Sequence, residues 1–393
     1  MKFKNNKVYK FPIFNWASRA FNDFPKKLPT TKKYDFAKEI AIVGAGASGL
    51  AAANILENNN LNYQIFEASN RYGGRLKKSE FADIPVDLGA EWVHNLPEIL
   101  PKLVSNSDTE KKYELIPYHL TNTFRWNGKK LKKVSNFENN LRFNFMPEYK
   151  FKNSSWYDFI DDNFAQKVKK NISFNKEVKT INYQGNNVNL SFSDGTSVDV
   201  DKVLITSSIG VLKSSNIEFI PELPTKFYNA INSINFKYGF KLIIKFSSKF
   251  FPDAVDFKVN NGEKVIYDLG LNKPTTENIL GILIRGEEAL EYTNKEPKDI
   301  VQQILEELDV VFDGKASSSY LNEFEYENWG DHQFTLGTWV ESFRTKPEYL
   351  KILNESLSEK VYFAGEAIDT SRMLGVPGAI LSGYSSVDKL LSE

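Results

Sequence analysis

A chain of 393 residues, 41% hydrophobic and 14% aromatic, exceeds what one core usually organises, so two packed regions around a shared site are expected. Lysine plus arginine and aspartate plus glutamate both total 50, which leaves no global field for gathering nucleic acid or an acidic membrane surface. The absence of cysteine excludes disulfides, thiolate metal sites, a cysteine nucleophile and thioether attachment of a prosthetic group, and three histidines (His94, His119, His332) without HExxH-like spacing predict no metal.

The first 33 residues hold nine basic residues against Asp23 alone, a local charge of +8. Pro12 and Asn15 interrupt the apolar residues between Phe11 and Trp16, short of the roughly seven that a secretory signal needs, and no later run approaches the roughly 18 of a membrane span. The expectation is a soluble, cytoplasmic protein whose residues 1–38 form a basic extension, solvated or strapped across the fold. Glu39 to Val43 then reads as a strand, Leu50 to Leu56 as a helix and Leu61 to Phe66 as a second strand, a β-α-β unit. Four short strands follow at Val178 to Tyr183, Val188 to Phe192, Ser197 to Val200 and Val203 to Ile205, a meander feeding back to the central sheet. Phe236 to Phe246 and Ile279 to Ile284 read as strands of a second sheet, Ile300 to Leu308 as an amphipathic helix, Val361 to Phe363 as a last strand and Gly378 to Leu391 as a closing helix.

Between the first strand and helix lies IVGAGASGL, in which Gly44, Gly46 and Gly49 form GxGxxG. The first glycine permits the tight turn, the second lets a phosphate reach the backbone, and the third allows close helix packing; Glu67, ending the second strand, can accept from ribose hydroxyls. Strand, turn, helix and acid in this order predict dinucleotide binding without choosing between NAD and FAD.

The choice comes from EASNRYGGRL (Glu67 to Leu76), which resembles the second-strand end of the flavin-containing amine oxidases. The resemblance continues in order through DLGAEWVHN (Asp87 to Asn95), ITSSIGVLKS (Ile205 to Ser214), YGFKLIIKF (Tyr238 to Phe246), ENWGDHQFTLGTW (Glu327 to Trp339) and YFAGEAIDTSRMLGVPGAILSG (Tyr362 to Gly383). It implies an α/β fold: a Rossmann-like FAD-binding domain assembled from 39–95, 172–232 and 358–393, and an interleaved mixed-sheet-plus-helices substrate domain from 96–171 and 233–357. FAD would be held noncovalently. By the same resemblance Arg71 and Arg75 lie beside its phosphates or ribityl chain, Val178 meets the adenine end through its backbone, and Gly365 and Glu366 meet the ribityl or phosphate region. Val376 presents its amide to the flavin's pyrimidine edge, Trp329 packs near the flavin, and Ser48, Ala68, Gly89, Ala90, Glu91, Trp92 and Gly375 complete the expected cofactor-binding segments.

The resemblance also implies a reaction: FAD-dependent oxidation of a small-molecule amine by hydride transfer to flavin N5, giving an imine that hydrolyses to a carbonyl, with O2 reduced to H2O2 or another acceptor taking the electrons. Lys241 matches the lysine expected near N5, with Lys237 and Lys245 as competitors on the same face of a regular strand. Trp339 matches one of two cage aromatics, whereas Gly375 stands where many members carry the other ring, leaving room for a bulkier or differently oriented substrate. Glu91 and His94 are the expected polar part of the site, Glu91 as an attractor of a distal ammonium and His94 as a proton-exchanging group. The stretch from Asn95 to Val178 is shorter than usual for the family, so the pocket is expected to be shallower, more open, or completed by the basic arm. Competing expectations are a C–C dehydrogenase, an amino acid oxidase with Arg344 or Arg372 anchoring the carboxylate, and a flavin-bound interaction protein without turnover.

Overall fold

A computed structural model describes Phe24, Leu28, Thr30 and residues 32–340, 345–371, 373 and 375–393. The strand Ile40–Val43, buried throughout, is central to a five-stranded parallel sheet. On one side it pairs with Tyr63–Phe66 (Val43 opposite Phe66), which pairs with Ile172–Ser173; on the other it pairs with Lys202–Ile205 (Val43 opposite Ile205), which pairs with Val361–Phe363. Strands covered on both faces read as continuous apolar runs, which is why IAIV and KVLI lack alternation. The crossover helix Ala47–Asn58 lies close against this sheet because Ala51, Ala52 and Ala53 are fully buried and add little width. The closing helix Val376–Ser392 packs on it just as closely, since a Cβ on Gly383 would lie 2.3 Å from the Ser48 carbonyl oxygen.

The expected meander forms. Val178–Asn182, Val188–Phe192 and Ser197–Val200 pair in sequence, Glu218–Ile220 adds to the first of them, and the next strand, Lys202–Ile205, returns to the parallel sheet.

A second, seven-stranded sheet runs in the order Tyr320–Asn328, Gly239–Phe246, Asn278–Gly286, Gly262–Asp268, Ala254–Phe257, Thr123–Trp126, Leu131–Lys133. Its pairs are antiparallel except that between Ala254–Phe257 and Thr123–Trp126. The helix Pro297–Phe312 starts with proline at its first turn and buries Ile300, Val301, Ile304, Leu305, Leu308 and Phe312 in the core of this sheet. The expected continuous strand from Phe236 to Phe246 is broken at Tyr238: Phe236–Lys237 pairs with Trp339–Val340, and Gly239 starts the long strand. Lys237 therefore leaves the ladder that carries Lys241, while Lys245 stays on it and reaches Glu277 at 3.1 Å.

Ile99, Leu103 and the stretch Trp156 to Val168 share the core of the parallel sheet. Of the basic arm, Phe24, Leu28, Tyr34 and Phe36 pack on that same core and Lys32 bonds Asp388 of the closing helix at 2.6 Å; apart from Phe24, Leu28 and Thr30, residues 1–31 lie outside the described residues. Among the described residues no helix is long and apolar enough to cross a membrane.

Candidate active site

The two sheets bound a cavity of about 530 Å³. Its walls include Gly44, Gly46, Ser48, Glu67, Ala68, Arg71, Arg75, Gly89, Ala90, Glu91, Trp92, His94, Val178, Lys241, Trp329, Trp339, Gly365, Glu366, Gly375 and Val376, residues from both ends of the chain. Gly49 sits behind the wall, where a Cβ would come within 2.0 Å of the Gly44 oxygen. The glycine pattern thus separates into Gly44 and Gly46, which line the cavity, and Gly49, which permits close packing.

At one end, Gly44 takes φ +107° to turn the chain, and Gly46 opens the helix Ala47–Asn58 with free space where a Cβ would stand. The first-turn amides of this helix have no intrahelical acceptor and the turn itself carries no acidic residue, and the buried Ser48 hydroxyl lacks a partner among the described residues. Glu67 accepts from the Ala45 amide at 2.8 Å and from the Ser69 amide and hydroxyl at 2.9 and 2.7 Å, so it braces the glycine turn with little acceptor capacity left toward the cavity. Arg71 donates to the carbonyls of Tyr72, Gly74 and Leu76, while Arg75 ties Thr338 and Glu366 together through contacts of 2.6 and 2.7 Å.

At the other end a buried charge cluster surrounds Glu91. Lys241, 2% exposed, donates to the Asp87 carbonyl at 2.5 Å and to Glu91 Oε2, which also accepts from Tyr267 at 2.6 Å. Lys150 Nζ lies 2.6 Å from Glu91 Oε1, an ion pair without hydrogen-bond alignment, and over the rings of Tyr267, Tyr118 and Trp92 at 4.2, 4.3 and 4.8 Å. Lys150 reaches this position because Val93 and Tyr149 exchange backbone hydrogen bonds, which lays the strand Tyr149–Phe151 beside Glu91 and Trp92. Tyr267 reaches it because its cross-strand partner is Gly281, where any Cβ would meet the ring at 2.3 Å. Burial alone raises the Glu91 pKa, but Lys150, Lys241 and Lys273 together hold it well below the usual carboxylate range. Burial pulls Lys150 down to about 8 against the opposing pull of Glu91, and it pushes Asp87 up to about 7 despite Lys241.

Facing this cluster, His94 Nδ1 lies 3.1 Å from Glu148, whose carboxyl burial raises but His94 brings below its ordinary value. The His94 and Trp339 rings are 6.3 Å apart, and the Arg285 guanidinium, paired with Glu263, stacks 4.2 Å from the Trp339 ring centre. Gly375 has φ +66° with nothing near a Cβ position, so it contributes no ring. Arg344 and Arg372 lie outside the described residues.

A family model described as flavin containing amine oxidoreductase matches residues 47–157 and 151–391. The chain belongs to the flavin-containing amine oxidoreductases. Among curated relatives of this family, polyamine oxidase 4 of Oryza sativa subsp. japonica is 25% identical over 89% of this chain and 88% of its own length. The lysine-specific histone demethylase 1 homolog 1 of the same plant is 29% identical over 54% of this chain, and the match spans 26% of that relative; for lysine-specific histone demethylase 1B of Mus musculus the figures are 23%, 90% and 53%. A solved putrescine oxidase bound to putrescine superposes with TM-score 0.73 over 91% of this chain and 100% of that one at 14% identity, a likeness of fold. As a member of this family the protein is an FAD-dependent amine oxidoreductase by descent.

The geometry fits FAD. A glycine turn at the amino end of a twelve-residue helix suits a pyrophosphate, and a second helix, Val376–Ser392, opens on the same cavity beside the unobstructed Gly375. Sequence reasoning missed Lys150, Tyr267, Asp87, Tyr118 and Lys273 in the buried cluster, as well as Arg285 over Trp339. A lysine flanked by aromatics in YKF and a glycine inside the strand Asn278–Gly286 were the available signals.

Proposed function

We propose that the protein oxidises the C–H bond beside the nitrogen of a neutral amine, that the resulting imine is hydrolysed to a carbonyl, and that O2 is the electron acceptor, giving H2O2. Bound FAD supplies the acceptor for the hydride and the means of passing the electrons on. The cofactor is proposed to lie along 39–95, 172–232 and 358–393, with the substrate between these and the segments 96–171 and 233–357. The single observation that carries the reading is a buried lysine, Lys241, in the wall of the cavity that Trp339, His94 and the glycine turn also line.

The protein's own groups then have defined work. Asp87 and Glu91 take two of the three Lys241 donors, and the third serves a water at the reacting end. Glu148, an ionised acceptor, accepts a hydrogen bond from His94 Nδ1–H and so leaves Nε2 free to receive the proton that an incoming ammonium must lose. Trp339 offers a flat wall on one side, and with Gly375 the opposite side stays open.

One observation favours a second reading, an amino acid oxidase: Arg285 places a guanidinium against Trp339 inside the cavity. Anaerobic titration of the yellow protein with monoamines, polyamines and amino acids separates the two. Bleaching of the oxidised-flavin bands by simple amines supports amine oxidation, and bleaching by amino acids alone supports the second. A yellow protein that none of these reduces defeats both. In Lys241→Met, retained colour with reoxidation by O2 slowed by on the order of a hundredfold is expected; an unchanged rate removes Lys241 from the mechanism.

A further inference from the structure

The environment of Lys150 has the composition of an ammonium-binding site. One carboxylate, Glu91, and three aromatic rings, Trp92, Tyr118 and Tyr267, converge on its Nζ. A cation between aromatic faces and a carboxylate is the arrangement by which proteins capture alkylammonium ligands. Here the occupant comes from the chain itself. The three rings and Glu91 border the cavity while Lys150 does not, so the lysine fills the site from behind.

The charges around it exclude a second cation. Lys150, Lys241 and Lys273 face one another across Glu91 and Asp87, and even with both carboxylates ionised the five groups sum to +1. Tyr118 and Tyr267, whose rings pack against Lys150, are held neutral by burial, while the ionised Glu148, also within electrostatic reach of Lys150, is hydrogen-bonded to His94.

Farther along the cavity the carboxylates are also engaged: Glu148 with His94 at 3.1 Å, Asp256 with Arg142 at 3.9 Å, Glu263 with Arg285 and Glu138 with Arg125. An ammonium remote from the reacting nitrogen would have to displace an arginine or lysine, or enter beside the His94 hydrogen bond at Glu148, to find a counter-ion, and at the paired carboxylates it would gain little over the pair it breaks.

Building on the amine-oxidase reading, we infer that Lys150 is a specificity-determining residue: it stands in for a distal ammonium at Glu91, so the protein accepts amines with a single cationic centre and discriminates against diamines and polyamines. The rice polyamine oxidase is similar over most of its length, so the inference marks a divergence in substrate class from that relative.

The test has two arms on FAD-loaded protein. In the first, n-butylamine, 1,4-diaminobutane and spermidine are compared through their half-saturating concentrations for perturbing or bleaching the flavin bands. Butylamine is expected to bind more tightly than either of the others by on the order of tenfold. Equal or tighter binding of diaminobutane overturns the inference. Perturbation without bleaching by any amine defeats amine oxidation yet still ranks the three ligands.

In the second arm Lys150→Ala vacates the site. Propylammonium chloride is expected to raise its melting temperature well above the rise from equimolar sodium chloride, with no such difference in the unsubstituted protein. The variant should also lose most of the discrimination against diaminobutane. Absence of the propylammonium effect together with unchanged amine preference means that Lys150 is only structural, and overturns its assignment. If the variant fails to fold, the first arm alone decides the substrate class, and Lys150→Arg, which retains a cation, is expected to keep the preference for butylamine.

Discussion

Glu91→Gln is the most informative single change because one carboxylate serves three buried lysines. The replacement keeps the shape and removes the charge, leaving Lys150 2.6 Å from a neutral amide and Lys241 with the Asp87 carbonyl as its remaining hydrogen-bond acceptor. Removing one member of a buried ion pair costs about 3–5 kcal/mol. With an unfolding entropy of about 2.1 cal/mol/K per residue, the chain loses roughly 0.8 kcal/mol per degree, so the expected fall in melting temperature is about 4–6 °C. The pH dependence supplies a second signature. Burial already sets the folded pKa of Lys150 at about 8, below its ordinary 10.5, so in the unsubstituted protein stability rises with pH between these values. Without the upward pull of Glu91 that window begins at lower pH, because Lys150 sheds its proton sooner. The deficit of the variant is therefore largest near pH 6 and shrinks as pH rises toward 8. Thermal unfolding of FAD-loaded protein across pH 6–9 measures it. A melting temperature within about 1 °C of the parent at pH 6 would refute the claim that Glu91 neutralises the cluster.

Other substitutions probe other layers. Asp87 has a folded pKa of about 7 against an ordinary 3.8, so it lowers stability progressively between these pH values; Asp87→Asn should flatten that decline in a melting-temperature profile, and an unchanged slope argues against a buried, protonated Asp87. Gly49→Val drives a side chain into the Gly44 carbonyl and should yield colourless protein that does not take up FAD; retained colour would contradict the close helix packing. Gly281→Ala displaces the Tyr267 ring from Glu91 and should cost about 1–3 kcal/mol in denaturant titration, whereas a neutral result would mean that the ring does not lie across the glycine.

How much could be read beforehand depended on whether the signal was local. The glycine turn, its flanking strands and Glu67 are consecutive features with fixed offsets, and they come together in one place, with Glu67 accepting from Ala45 and Ser69. Lys241 stands out in the pattern around it, whereas the break at Tyr238 that takes Lys237 off the same ladder has no signal in the sequence. Lys150 carried almost no signal. Its position depends on a bridge between Val93 and Tyr149 and on the register that sets Tyr267 opposite Gly281, and neither follows from residue type. Charged side chains inside a core read as surface ones in a sequence, because burial is a property of the partners and not of the residue.

The parallel sheet joins Ile40–Val43 to Val361–Phe363 through Lys202–Ile205, and the closing helix Val376–Ser392 packs on the helix of the glycine turn. During synthesis the dinucleotide half-site emerges from the ribosome early, yet the surfaces that complete it are translated hundreds of residues later. A nascent chain that stops short of Val376 would leave bare the face of that first helix which the closing helix covers, so the half-site is completed only when the last segment has been made.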